Sequence, residues 1–200
     1  MLICVTNQKL CKDDFLSRIT QIAIGKPQAI VLREKDLDLA EYEKLANAIN
    51  EICTRHQVML IINQNIEVAV KMKHENIQLS MDNLRKNKKK LKEFKNIGAS
   101  IHTVNEAQEA EKIGATYLVA GHIFPTACKE GVPPKGLSFL QAVCDAVVIP
   151  VFAIGGITKD KLESVLKTGA EGVCIMSEAM ICLKPEALAG DYRIKKSNTY

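Results

Sequence analysis

Eight short runs of aliphatic and β-branched residues punctuate this chain, and longer amphipathic stretches separate them. The runs are Leu2–Thr6, Ala29–Arg33, Val58–Asn63, Ile77–Ser80, Ile97–Ile101, Tyr117–Gly121, Val148–Ile154 and Gly172–Ser177, each of strand length. Between them, Leu39, Tyr42, Leu45, Ala46, Ile49 and Ile52 recur at helical spacing, as do Leu162, Val165 and Leu166. A run such as Val148–Ile154 is apolar on both faces, the mark of a parallel strand covered on each side, whereas a half-exposed antiparallel strand would alternate with polar residues. Eight such strand–helix units predict an α/β fold, the closed (β/α)8 TIM barrel, as a single domain over residues 1–200. An open doubly wound sheet uses the same alternation, and the number of units favours closure. At roughly 25 residues per unit, against about 250 in a typical barrel, most loops must be short. Phe124–Gly136 is the exception, because Pro125, Gly131, Pro133, Pro134 and Gly136 break any regular element. A long loop in a compact fold is often functional.

Composition narrows the partners. A hydrophobic fraction of 47% suits one substantial core, and a formal net charge of only +4 argues against nucleic acid as the partner. The basic stretch Arg85–Lys95 (RKNKKKLKEFK) reads as a solvated helix face with Leu84, Leu91 and Phe94 turned inward, since no aromatic platform accompanies its charges. The start of the chain lacks the basic region and cleavage site of a secretion signal, and no apolar run approaches the ~20 residues of a membrane span. The expectation is a cytoplasmic protein with no membrane partner. Seven cysteines without a Cys-x-x-Cys pair fit reduced thiols. The histidines at 56, 74, 102 and 122 are too scattered for a local metal motif, and no metal is expected from them.

Barrel chemistry sits on the loops that follow the strands. On this register those positions carry Thr6, Arg33-Glu34-Lys35, Asn63, Ser80, Ser100 with His102, His122, Gly155-Gly156 and Ser177. Polar groups gather at one mouth. Two successive glycines after a strand let a ligand approach the backbone closely, and their N–H groups favour an anion. Barrels often build a phosphate site after the seventh and eighth strands, so Gly155, Gly156, Met176 and Ser177 are the expected phosphate residues. The alternative is that the glycines only make a tight turn. Arg33 could clamp a carboxylate or phosphate with its fork, and Lys35 could do so or remain a surface charge. Lys129 lies in the long loop, where a cation could close over an anion, and Cys128 beside it is either a reactive thiol or a packing residue. Asn63 and Ser100 could orient a ligand or cap the helices that follow them. His102 could face the site or cap Thr103–Ile113.

Five segments carry a family resemblance: Leu32-Arg-Glu-Lys35, Ile61-Ile-Asn63, Gly98-Ala-Ser-Ile-His-Thr103, Ala120-Gly-His-Ile-Phe-Pro-Thr-Ala-Cys-Lys129 and Ala153-Ile-Gly-Gly-Ile157. In this order, each at a strand end, they resemble thiamine phosphate synthases and their relatives the thiazole tautomerases. The resemblance spans nearly the whole chain. It implies a barrel that makes the thiazole of thiamine or joins it to the pyrimidine, with a small phosphorylated thiazole as ligand. It implies ligand contacts for Arg33, Lys35, Asn63, Ser100, Thr126 and Lys129. A homo-oligomer is compatible with it.

The synthase pattern supplies two aspartates that hold magnesium against a diphosphate. Here those positions read Gln64 and Asn83, with Asp82 beside the second, and the glutamine of the synthase's Gln-x-Arg-Glu-Lys motif reads Val31. Magnesium prefers carboxylate oxygens and substrate phosphates, so no cofactor is expected unless the synthase reading holds. Gly121-His122-Ile-Phe with Cys128-Lys129 is similar instead to thiazole tautomerases, which aromatise a carboxythiazole phosphate by moving a proton from ring carbon to exocyclic carbon. That shift asks for an acid–base side chain working near neutrality, and histidine is the default. His122 is the expected catalytic residue. The other readings are the synthase, a non-catalytic binder of thiazole phosphate that regulates a partner, and a different phosphate-utilising barrel enzyme such as an epimerase.

Overall fold

The computed structural model describes residues 1–193; the expected domain runs to residue 200, and residues 194–200 lie outside the described part. Its strands are β1 (Leu2–Val5), β2 (Ala29–Leu32), β3 (Met59–Asn63), β4 (Asn76–Ser80), β5 (Asn96–Ile101), β6 (Tyr117–Gly121), β7 (Val151–Ile154) and β8 (Gly172–Ile175). They form a closed barrel in sequence order. Every neighbour pairs in parallel, and β8 returns to β1 through Leu2↔Val173, Ile3↔Cys174 and Cys4↔Ile175. The fold is the expected eight-stranded (β/α)8 barrel. Helices α1 (Phe15–Ile24), α2 (Leu39–His56), α3 (Ile66–Lys71), α4 (Met81–Lys86), α5 (Val104–Ile113), α6 (Gly136–Ala146), α7 (Leu162–Leu166), α8 (Ser177–Ile181) and α9 (Leu188–Asp191) surround it.

Because successive side chains on a strand point to opposite faces, apolar strands feed two cores. Inward residues, among them Ile3, Val5, Val31, Ile61, Tyr117, Val119 and Phe152, fill the barrel. Their neighbours Leu2, Cys4, Ile30, Leu32, Ile62 and Leu79 face the helices. Ile30, Leu32, Ile62 and Leu79 are completely buried, and truncating one such side chain typically costs about 2–5 kcal/mol. Local signals agree with this packing. Asp38 and Glu41 form a reciprocal capping box at the start of α2, whose residues Tyr42, Ala46, Ile49 and Cys53 are buried. Thr103 caps α5, and Gly114 ends it in the left-handed region at φ 113°. Leu84, Leu91 and Phe94 are buried beneath the basic stretch, while Lys88, Lys89 and Lys90 are exposed. Among the described residues no helix is long and apolar enough to cross a membrane.

Strand boundaries differ from expectation in informative places. Val148 is 95% exposed, and β7 begins only at Val151. Pro150 has no N–H to contribute to a ladder, and the N–H groups of Val148 and Ile149 donate to Glu111 Oε1 at 2.8 and 3.2 Å. Thr6 and Arg33 lie just beyond the ends of β1 and β2, in the loops of the mouth, and Ser177 opens α8 two residues after β8. Cys4, Cys53 and Cys174 are buried free thiols; burial pushes Cys53 up to about 12, which makes it an inert packing residue.

Candidate active site at the barrel mouth

Above β1 and β2, Thr6 is wholly buried and organises the chain around it. Its Oγ1 donates to Glu34 Oε1 at 2.6 Å and accepts from the Arg33 N–H at 3.0 Å. Both Glu34 oxygens also receive the Gln8 N–H, at 3.1 and 3.0 Å. Glu34 is therefore committed to joining the first two loops, and this fixes the backbone of Arg33. The Arg33 guanidinium turns toward β8, with Nη1 3.8 Å from Met176 Sδ. Lys35 is exposed.

Over β3 to β5 the mouth is lined by amides. Tyr42 donates to the Leu32 carbonyl at 2.6 Å and accepts from the Asn63 N–H at 3.2 Å, while Asn63 Nδ2 donates to the Gln78 carbonyl at 3.4 Å. Neither Asn63 nor Ser100 caps a helix, since the N-cap positions of α3 and α5, the helices that follow them, are Asn65 and Thr103. Ser100 instead accepts from Gln78 Nε2 at 2.9 Å. Gln64 leaves β3 in the left-handed region at φ 65°. Its Oε1 accepts from Asn83 Nδ2 at 2.6 Å, from the Ser80 N–H at 3.2 Å and from Ser80 Oγ at 3.4 Å. A carbonyl oxygen has two lone pairs, so this one has none to spare. Asp82 is paired with Arg85 at 3.4 Å, and its side chain is 81% exposed. These residues do not fit a magnesium ion held against a diphosphate, which calls for carboxylate oxygens.

Over β6 to β8 the backbone dominates. His122 is buried, and its Nε2 donates to the Val132 carbonyl at 3.2 Å. A carbonyl can only accept, so the neutral ring carries its hydrogen on Nε2 and its lone pair on Nδ1. His102, rather than capping α5, donates from Nδ1 to the Gly121 carbonyl at 2.7 Å, which holds the peptide leading into His122. The long loop is stitched at its base, where Lys135 N donates to His122 O at 2.9 Å and Gly136 N to Ile123 O at 3.0 Å. Its tip carries Thr126, whose hydroxyl oxygen accepts from Cys128 N at 3.4 Å, and the exposed Lys129. Cys128 Sγ reaches Ser177 Oγ at 3.5 Å, so the tip arches over the end of β8.

Gly155 and Gly156 adopt φ 99° and 64°, where other residues are strained. A Cβ on Gly155 would stand 2.3 Å from His122 Cβ, and one on Gly156 2.3 Å from the Pro125 oxygen. The glycines are thus required for the turn and for close contact with the long loop. Neither of their N–H groups has a protein acceptor among the described residues. Lys161, which the sequence did not single out, donates to Gly156 O at 2.8 Å and lies 4.7 Å over the Phe124 ring, clamping the two loops together.

Among the expected residues, Arg33 meets Met176, Ser177 meets the long loop at Cys128, Gly155 packs against His122, Gly156 packs against Pro125, and Asn63 and Ser100 both bond Gln78. Lys35, Thr126 and Lys129 join none of these contacts. A polar cavity of about 220 Å3, lined by Gln64, Asn65, Asn83 and Lys90 among others, flanks the mouth. A larger one, of about 300 Å3, lies at the opposite end of the barrel beside Met1, Lys26, Gln28 and Tyr192, the face that barrels use for stability rather than chemistry.

Comparison with known proteins gives the family of the barrel. Residues 2–179 match the family model described as thiamine monophosphate synthase. The chain is 35% identical over 170 residues to thiamine-phosphate synthase 2 of Streptococcus pneumoniae, covering 84% of this chain and 81% of that protein. It is 32% identical over 180 residues to the thiamine-phosphate synthase of Pyrococcus furiosus, covering 90% and 86%. The solved structure of thiamine phosphate pyrophosphorylase from Pyrococcus furiosus superposes with a TM-score of 0.85 at 29% identity, covering 96% of this chain and 93% of that one. The chain belongs to the thiamine monophosphate synthase family of thiamine-biosynthetic enzymes.

Proposed function

We propose that within this family the protein is a thiazole tautomerase, an isomerase that aromatises a carboxythiazole phosphate. The observation that carries the reading is the saturated Gln64 oxygen, bound to Asn83 and Ser80 where a synthase would offer carboxylates. The phosphate is received by the free N–H groups of Gly155 and Gly156, with Met176 and Ser177 beside them. Arg33 faces the same side of the mouth, and Lys129 and Lys35 bring further positive charge. Asn63, Ser100 and Thr126 orient the ring. His122 Nδ1 takes the proton from the ring carbon, and the imidazolium returns it to the exocyclic carbon. One carbon–hydrogen bond breaks, another forms, and the ring becomes aromatic without any other reactant. No magnesium is needed for that step.

Synthase activity is the second reading, favoured by the names of the relatives. Two assays on the full chain separate them. Carboxythiazole phosphate should be converted to its aromatic isomer at a rate indifferent to chelator. Thiazole phosphate and pyrimidine diphosphate with magnesium should not be coupled. Robust coupling abolished by chelator would overturn the tautomerase reading and point to Asp82 as a metal ligand.

A further inference from the structure

Among the described residues, two polar atoms inside the barrel have no hydrogen-bond partner: Gln78 Oε1 and the Tyr117 hydroxyl. Gln78 is 3% and Tyr117 8% exposed, so neither can turn to solvent. An unpaired buried polar group costs about 1–3 kcal/mol, and such groups persist where something is gained from them. The two flank Gly98, where β4, β5 and β6 meet in register through Gln78↔Gly98 and Gly98↔Tyr117. A Cβ on Gly98 would stand 2.0 Å from Gln78 Oε1 and 2.4 Å from the Tyr117 oxygen. Glycine at 98 is what leaves room for the phenol and the amide to approach each other over it.

The direction of that pairing follows from chemistry. Burial pushes the Tyr117 phenol far up from its ordinary value, so it keeps a proton that needs an acceptor, and Gln78 Oε1 is an acceptor without a donor. With its oxygen turned to Tyr117, Gln78 presents Nε2 to Ser100 Oγ, the 2.9 Å bond observed. An amide nitrogen only donates, so the Ser100 oxygen is already an acceptor there. Its own hydrogen is left to point elsewhere, and Ser100, half-buried near the top of β5, has the mouth before it.

We propose that Gln78 and Tyr117 are positioning residues that orient the Ser100 hydroxyl as a hydrogen-bond donor to an anionic oxygen of the bound ligand. Tyr117 donates to Gln78, Gln78 donates to Ser100, and Ser100 donates to the ligand. Given the proposed function, on which this assignment of the acceptor rests, the oxygen belongs to the ring carboxylate that distinguishes a carboxythiazole phosphate from a plain thiazole phosphate. The phosphate itself lies across the mouth at Gly155 and Gly156.

Binding of two probes, carboxythiazole phosphate and the same thiazole phosphate without its carboxylate, tests this on the full-length protein. Wild type should prefer the carboxylated probe. Ser100→Ala and Gln78→Met should each shrink that preference by about tenfold, Gln78→Met leaving the affinity for the plain probe within about twofold, and the double variant should lose no more of the preference than either single one. Tyr117→Phe, which removes one oxygen and keeps the ring, should shrink it by a smaller factor and serves as the variant most certain to fold. A wild type without preference, a folded Gln78→Met or Tyr117→Phe variant that keeps the full preference, or an equal loss for both probes would each overturn the proposal. Because the readout is binding, a protein that discriminates but does not isomerise fails the tautomerase reading alone, and one that isomerises without Gln78-dependent discrimination fails this inference alone.

Discussion

The two halves of the barrel mouth satisfy their hydrogen bonds in opposite ways. Over β3 to β5 the polar side chains bond to one another: Gln64 with Asn83 and Ser80, and Gln78 with Ser100. Over β7 the Gly155 and Gly156 N–H groups lack protein acceptors among the described residues, and His122 holds one nitrogen to the loop with the other bare. The neutral half, bonded within itself apart from the Gln78 oxygen and the Ser100 hydrogen, suits a role in shaping and orienting. The half with unspent donors suits gripping an anion and moving a proton. A chain of this family that needed a metal would require charge in the first half, and that is where amides stand instead.

The largest effect should come from the second half. His122→Gln should slow isomerisation by roughly a hundredfold to ten-thousandfold, the usual contribution of general acid–base catalysis, with little change in binding of the phosphate ester. Single-turnover rates at saturating substrate check this, and rates within a few fold of wild type would reduce His122 to a packing residue. Gly156→Asp should raise the dissociation constant for thiazole phosphate by well over tenfold, or more than about 1.4 kcal/mol. It adds both a negative charge and a Cβ that collides with the Pro125 oxygen. Titration calorimetry on a folded variant reads it, and unchanged affinity removes the glycine turn from the anion site.

Converting the neutral half into a charged one blurs the comparison deliberately. The variant Gln64→Asp with Asn83→Asp should gain a magnesium-dependent rise in thermal stability of about 1 kcal/mol near saturating ion, where wild type gains none. An equal response in both proteins would mean that the ion binds elsewhere. The smallest effect belongs outside the mouth. Neutralising Lys88, Lys89 and Lys92 to Gln together should change thiazole phosphate affinity by less than about twofold, as expected of exposed charges. A larger loss would extend the anion site onto the basic stretch.

Much of this was legible in the sequence because a parallel barrel writes its strands as runs apolar on both faces, and Ile30, Ile62 and Leu79 behave as such runs demand. The error at Val148 shows the limit, since two apolar residues before Pro150 read as strand although the proline has no N–H for a ladder and joins β6 only through its carbonyl, which accepts from Leu118 N. The candidate site was legible for a topological reason: once strands are assigned, their C-terminal ends are known. What stayed hidden needs contacts across the fold. Gln78 and Lys161 carry no signal of their own in the sequence, and of the two readings of His102 the cap is in fact supplied by Thr103. The replacement of two carboxylates by Gln64 and Asn83 was visible, but not that the two amides bond to each other.

The base of the long loop carries a consequence for how such enzymes diversify. With Lys135 N–His122 O and Gly136 N–Ile123 O tying its two ends together, the segment between them is an appended cassette whose ends are already closed by the barrel. Closure entropy grows only logarithmically with length, by about 0.6 kcal/mol per doubling, so insertions or exchanges at the tip need not be repaid by the scaffold. Substitutions at Thr126, Cys128 or Lys129 therefore change what covers the mouth while the eight strands beneath remain as they are.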